Sequence, residues 1–338
     1  RRELQVELRG DWYGAGMMFT NSEILLCAVD IDGRLKMEKH LPLPAEREPA
    51  EELLLATLAA LQAELERAQI PPQRVVGLGV TLRGYVDPVR GISTNSLGLW
   101  EHPVPVRDLL QPHVPYFVTV GNNVRSFAGA QNFLDRADAT DNALFIRNEY
   151  GIGGAILTNY EAYTGSHDRA GELGHIRVPG HSRLCRCGSL GCLETVASVS
   201  GMLASAAEVY GEASTPLLYR ATHGRRSAIT LEAMLAAAEQ GDRRLELILQ
   251  DAVQAFVTVV AASVKLIDVR KVILYGRVFD SDYYKSLLFR ELRAVDGDDM
   301  LCSLIEVSAH NGRLDNTAAA IQAVRDYVER GGLPAEGL

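Results

Sequence analysis

The chain is short of several things, and each shortage narrows the reading. No apolar run reaches the length of a membrane span and no signal peptide opens the sequence, so the expectation is a cytoplasmic protein with no membrane partner. There are 5 cysteines, and three of them lie between Cys185 and Cys192. That clustering does not suit a disulfide framework and fits a reducing compartment better. Basic residues are outnumbered 34 to 43, for a net charge of −9, which argues against this chain itself embracing nucleic acid or anionic lipid. Low-complexity segments are lacking. An initiator methionine is lacking too, since the chain opens Arg1-Arg2-Glu3, and the expectation is that something upstream has been removed. What is present is length: 338 residues are enough for two domains with ample cores.

The most informative stretch runs from Ala170 to Glu194, AGELGHIRVPGHSRLCRCGSLGCLE. Cys185, Cys187 and Cys192 with one histidine would complete a closed tetrahedral shell, the arrangement of a structural zinc site. Gly188 and Gly191 suit the tight turns that bring closely spaced thiolates onto one ion. The alternative is a set of buried free cysteines. From the residues alone the fourth ligand is either His175 or His181.

GELGH followed by CxCGxxGCxE resembles the signature of the ROK family, whose name covers repressors, uncharacterised reading frames and sugar kinases. The resemblance implies that His175 is the zinc ligand, with one zinc per chain on His175, Cys185, Cys187 and Cys192. It also implies that Glu172 and Glu194 accept hydrogen bonds from sugar hydroxyls, with His175 beside the sugar as well. Without it, the two acids read as surface charges, Glu194 as one at a helix N-terminus.

In chain order, residues 1–10 read as a linker. Tyr13–Phe19, Glu23–Ile31, Arg34–Leu41 and Val75–Leu82 read as strands, and Leu54, Leu55, Leu58, Leu61 and Leu65 mark a helix over Glu51–Ala68. Strand, strand, strand, helix, strand is how a ribonuclease-H-like half begins. Phe117–Val120 continues the strands, and Val124–Phe133 reads as a helix opening the second half. There, strands are expected at Ala143–Arg147, Gly153–Thr158, Lys271–Tyr275 and Leu304–Ser308. Helices are expected at Thr195–Tyr210, Leu231–Glu239, from an Asp242 N-cap to about Leu266, at Ser281–Arg293 and at Thr317–Glu329. The fold class is therefore α/β: two ribonuclease-H-like domains of the actin-like ATPase superfamily with a ligand cleft between them. The expected boundaries are 11–122 plus 315–338 for the N-terminal domain and 123–314 for the C-terminal one, the latter carrying a zinc loop over 175–192.

Sugar kinases of the family need three motifs, and this chain departs from each. The phosphate hairpin, DxGGT, corresponds to Met18-Phe19-Thr20-Asn21-Ser22, with neither acid nor glycines. The catalytic base of ENDxN corresponds to Asn123 in Gly121-Asn122-Asn123-Val124-Arg125, and an amide cannot take the proton of an attacking hydroxyl. The second phosphate loop, GTGIGGGI, corresponds to Asn148-Glu149-Tyr150-Gly151-Ile152-Gly153-Gly154-Ala155, where Glu149 would repel phosphates. A late GGG, expected near the adenine, has become Tyr275-Gly276-Arg277.

Asn122 and Asn123 can still bond sugar hydroxyls, or serve as caps of the following helix. Gly84 lies in a candidate sugar loop, Gly77 to Gly84 followed by Asp87, where Arg83 replaces the family's proline and can reach over the sugar. Near Asn95, Trp100 is either a stacking platform or a buried aromatic. The expectation is the effector domain of a ROK transcriptional regulator, a repressor of carbohydrate-metabolism genes. It would have no kinase activity and no ATP, a monosaccharide or derivative as effector, and a homodimer or tetramer as its assembly. Operator DNA would be bound through a helix-turn-helix module upstream of Arg1, with effector binding coupled to domain closure. The alternatives are an active sugar kinase and a binding-only pseudokinase.

Overall fold

The computed structural model describes residues 11–44, 48–134, 140–297, 299–308 and 313–331. The linker expected at 1–10 lies outside them. In chain order the strands and helices are β1 Tyr13–Phe19, β2 Glu23–Asp30, β3 Leu35–Pro42, α1 Ala50–Arg67, β4 Val75–Leu82, β5 Tyr85–Asp87, β6 Ile92–Asn95, α2 Val106–Leu110, β7 Phe117–Asn122 and α3 Asn123–Leu134. Then come β8 Asn142–Asn148, β9 Ile152–Thr158, β10 Glu161–Tyr163, α4 Glu194–Ala197, α5 Val199–Val209, α6 Pro216–Ala221, α7 Leu231–Glu239 and α8 Arg243–Ile267. The chain closes with β11 Lys271–Tyr275, α9 Asp282–Asp296, α10 Met300–Leu304, β12 Ile305–Val307 and α11 Arg313–Glu329.

Two compact units result. Among described residues the first takes 11–134, 160–169 and 313–331, and the second takes 140–159 and 170–308. Helix α3, expected to open the second domain, belongs to the first unit, where it packs against α11.

In the first unit the sheet runs β3-β2-β1-β4-β7, with β1 antiparallel to β2 and parallel to β4. Strands β1, β2 and β4 are buried along nearly their whole length, which is why they read as unbroken apolar runs rather than alternating ones. One face receives the leucine stripe of α1, with Leu54, Leu58 and Leu61 in the core. The other face receives α11 at backbone distance. A Cβ on Gly16 would stand 2.5 Å from the Ala320 nitrogen, and one on Gly79 would stand 1.8 Å from the Ala319 carbonyl oxygen. Glycines in the strands and the run Ala318-Ala319-Ala320 in the helix are thus two halves of one close contact.

The second unit repeats the theme: β8 pairs antiparallel with β9 and parallel with β11, and β11 pairs parallel with β12. Its core helix is α8, which buries Leu245, Leu249, Val253, Phe256, Val257, Val260 and Val264. By length and composition this one helix could cross a membrane, contrary to the expectation that no apolar run is long enough, but 61% of its apolar window is buried in the protein. Asp242 precedes α8 yet does not cap it with its side chain. Its buried carboxylate instead accepts hydrogen bonds from the Leu217 and Leu218 amides at the start of α6, at 3.3 and 2.8 Å. The helix expected over Thr195–Tyr210 is broken at Ser198, whose hydroxyl caps α5 through the Gly201 amide at 3.0 Å.

The glycine contact gives a direct test. Gly79→Ala should destabilise the protein by about 1–3 kcal/mol through overpacking against the α11 backbone. Thermal or urea unfolding of the variant beside wild type reads this, and an unchanged midpoint would show that α11 can retreat freely.

Candidate functional site

The metal-type cluster is assembled in the second unit by a segment with little regular structure. Glu172 precedes a single 3-10 turn, Leu173–His175, whose Gly174 must be glycine because a Cβ would lie 2.0 Å from the Ile152 carbonyl oxygen. Leu184 pairs with Leu190 and Arg177 with Cys192 as isolated bridges, so the cysteines sit on two short antiparallel returns. Gly188 and Gly191 turn them with φ of 89° and 70°, conformations that favour glycine.

One ligand atom from each of His175, Cys185, Cys187 and Cys192 comes within 4.8 Å of all the others. The Cys185 Sγ lies 3.6 Å from His175 Nδ1, and the Cys187 and Cys192 sulfurs are 3.6 Å apart. Ligand atoms at the corners of a tetrahedral zinc site, with bonds of about 2.0–2.3 Å, sit roughly 3.5–3.8 Å apart. The donor set and the spacing therefore fit a metal such as zinc. His181 stands apart, with Nε2 at 3.5 Å from Asp251. Burial lowers the His175 pKa, which keeps the ring neutral and able to ligate. Burial also pushes the Cys185 thiol up and that of Cys192 to about 12. At Cys187 burial acts the same way but is outweighed by the amide and hydroxyl of Ser189, so its pKa is lowered. A cation is what would draw the proton from the two reluctant thiols.

Glu172 Oε2 lies 3.6 Å from His175 Nε2, on the side of the ring away from the sulfurs. A carboxylate behind a ligating histidine is the usual way such a ring is oriented. Glu194 is buried at 6% exposure, and its Oε2 accepts from the Ile152 amide at 3.1 Å and from Arg186 at 2.9 Å. Gly151 makes room for it, because a Cβ there would stand 2.1 Å from Oε2. Arg186 was missed by sequence reasoning. Its signal was a lone basic residue between two cysteines, facing an acid that burial could not leave unpaired.

At the positions of the family's phosphate and catalytic motifs, the side chains bond groups within the protein. In the first unit Met18 is buried, and the Thr20 hydroxyl accepts from the Ser22 and Glu23 amides, closing the β1–β2 turn upon itself. Asn21 accepts from Arg83, whose Nε also donates to the Ser96 carbonyl at 3.1 Å. Asn123 Nδ2 donates to the Phe19 carbonyl at 2.9 Å, which a carboxylate could not do. Asn122 is the helix cap, its Oδ1 accepting from Val124 and Arg125, while its Nδ2 donates to the Gly84 carbonyl at 2.8 Å. Gly84 itself has φ of 82°, with the Asn95 carbonyl oxygen 2.1 Å from where a Cβ would lie. Trp100 is the buried aromatic, 8% exposed and tilted against Phe19, not an open platform.

In the second unit Glu149 Oε1 accepts from the Arg277 amide at 2.7 Å, and Oε2 accepts from Arg277 Nε at 3.2 Å. The carboxylate expected to repel phosphates thus has a cationic partner. Opposite charges at two positions that are both glycine in the family pattern were the available signal.

Asn123→Asp replaces the donor to the Phe19 carbonyl by a second acceptor. The variant should lose about 1–3 kcal/mol of stability, the cost of a broken buried hydrogen bond. Urea unfolding checks this, and a variant as stable as wild type would mean that the α3 N-terminus does not lean on this bond.

Known proteins are similar along most of the chain. The DNA-binding transcriptional dual regulator NagC of Escherichia coli K12 is 24% identical over 284 residues, which is 80% of this chain. The chain spans 65% of that relative's length. A ROK family glucokinase from Streptomyces griseus, solved with glucose and AMPPNP, has 23% identity and a TM-score of 0.76, covering 93% of this chain and 99% of its own. A ROK family transcriptional regulator homologous to the E. coli MLC protein has 21% identity and a TM-score of 0.76, covering 94% of this chain and 79% of its own. These likenesses show the two-domain α/β fold of the actin-like ATPases. The ROK family profile matches residues 17–298, and the chain belongs to the ROK family.

Proposed function

We propose that the chain is the effector-binding part of a sugar-responsive transcriptional regulator, carries one structural zinc and transfers no phosphoryl group. The observation that carries the reading is Asn123. It stands where a kinase of this family keeps its base, and its amide is committed to the Phe19 carbonyl. Loss of general-base catalysis alone costs about 10²–10⁴-fold. The pair Glu149 and Arg277 and the self-closed Thr20 turn support the same reading.

The effector is a neutral monosaccharide or close derivative. Glu172, His175 and Glu194 of the second unit are its contacts. Hydroxyl recognition by carboxylates and amides is selective, since a sugar lacking one hydroxyl strands a buried polar group. The net charge of −9 cannot supply the phosphate contacts that dominate DNA affinity, so operator binding falls to a basic module preceding Arg1, in a symmetric dimer or tetramer.

The rival reading is a sugar kinase, favoured by the structural likeness to the S. griseus glucokinase. The two are separated by calorimetry against glucose, N-acetylglucosamine and N-acetylmannosamine, a coupled ATP–magnesium assay with the same sugars, and gel-shift titration of the full-length product. Expected are sugar binding, background turnover, and DNA affinity that changes with the bound sugar by roughly 5–150-fold, the usual span of an allosteric coupling. Robust turnover would establish the kinase. Sugar binding with sugar-indifferent DNA affinity would leave a binding-only pseudokinase.

The zinc is tested separately by elemental analysis of protein purified without chelator. Wild type and His181→Ala should carry one zinc per chain, whereas Cys187→Ser should lose it and unfold at lower temperature. Metal-free wild type would overturn the assignment, and loss of zinc in His181→Ala would move the fourth ligand.

A further inference from the structure

Strands β8 and β11 are parallel neighbours, in register from Ala143 beside Lys271 to Arg147 beside Tyr275. In an open α/β sheet, ligands collect at the carboxyl ends of such strands, and phosphate groups do so where main-chain amides are free to point at them. Glu149 follows β8 and Arg277 follows β11 at this edge. The Arg277 amide and guanidinium are the donors an anion would use, and both hold the Glu149 carboxylate.

The loop cannot readily give way. The Asn148 amide side chain donates to the Ala197 carbonyl at 2.9 Å, the Val199 amide to the Glu149 carbonyl at 3.0 Å, and the Ser200 hydroxyl to the Tyr150 carbonyl. The break between α4 and α5 is what frees residues 197–200 to make these bonds. From the other side Gly276, with φ of 137°, brings its strand end so close that a Cβ would lie 2.1 Å from the Asn148 carbonyl oxygen.

We propose that Glu149 is a specificity-determining residue. Its carboxylate occupies the Arg277 amide and Nε and thereby keeps these donors from phosphate-bearing ligands at this edge of the second unit. A phosphate that displaced it would leave a carboxylate only 7% exposed without its cation, so the exclusion works by occupation and not by net charge. The proposal deepens the reading of the chain as a protein that transfers no phosphoryl group and rests on it.

The test is the rise in melting temperature on adding magnesium-free inorganic pyrophosphate, against sodium chloride at equal ionic strength. Wild type, Glu149→Gly, Glu149→Gln and the double variant Glu149→Gly with Arg277→Ala are compared. Wild type should respond to pyrophosphate no more than to chloride. Glu149→Gly should gain on the order of 5 °C at a hundred times its Kd, and the double variant should lose that gain. Glu149→Gln keeps an acceptor for the Arg277 amide but drops the charge, so it should fold and show a smaller gain. It decides the matter if the glycine variant does not fold. No gain in the folded Glu149 variants, or a gain that survives loss of Arg277, overturns the proposal. The wild-type kinase assay fails independently: turnover would sink the functional reading itself, whereas silent Glu149 variants in an inactive protein would sink only this inference.

Discussion

The convergence of one imidazole and three thiols on a single point is the constraint on which the second unit's functional face depends. Between Gly171 and Leu193 the chain has one 3-10 turn and isolated bridges, held by turn and bridge bonds such as Val178 N–H to the Gly191 carbonyl at 2.8 Å and Cys185 N–H to the Ser189 carbonyl at 2.8 Å. These bonds bring the ligand atoms of His175, Cys185, Cys187 and Cys192 within 4.8 Å of one another. Everything beside them inherits its place. Glu172 sits behind the imidazole, Arg186 emerges between two of the cysteines, and Glu194, two residues after the last, turns back to the Ile152 amide. Gly151 exists as glycine because that carboxylate arrives there. A wall built in this way has few internal degrees of freedom, so a ligand that binds it would avoid the ordering cost that a floppy loop would carry.

The departures from the kinase pattern obey a second physical rule. A buried polar group that loses its ligand must find another partner or cost stability. Glu149 has Arg277, Asn123 has the Phe19 carbonyl, Asn21 has Arg83, and the Thr20 hydroxyl has the amides of its own turn. Each unit carries its own set of these bonds. The changes therefore bring local bonds of their own, with the Asn123 Oδ1, buried and without a partner, as the exception.

Much of this was legible in the sequence, and the boundary of legibility is physical. Buried parallel strands announce themselves as apolar runs, and α1 and α8 by their period, because burial acts on local pattern. The metal cluster was legible because ligand chemistry restricts residue type so strongly. Partnerships were not legible. Glu149 read only as a charge that would repel phosphates, because its guanidinium lies far along the chain, and the Arg186–Glu194 pair had no signal of its own in the sequence. Asp242 looked like the cap of α8 but serves α6, since an N-cap motif states that an acid is available and leaves open which amides take it. The break at Ser198 was invisible for a related reason: it goes with a set of bonds to the distant Asn148–Tyr150 loop.

On the reading proposed above, the same partnerships explain why no single substitution would carry this chain toward phosphoryl transfer. Restoring an acid at position 123 removes the bond that Asn123 makes to the end of β1, and the turn that would have to receive a phosphate is still closed by Thr20. Opening that turn leaves Arg83 without its Asn21 acceptor. Removing Glu149 takes the acceptor away from the Arg277 amide in the other unit. Coupled groups of this kind are non-additive, so each step alone loses stability before any step gains catalysis. A path back would have to cross several destabilised intermediates, each short by an amount comparable to a large part of a protein's marginal stability. On the proposed reading, the bonds of Asn123, Thr20, Asn21 and Glu149 are thus the ones that hold the chain away from phosphoryl transfer.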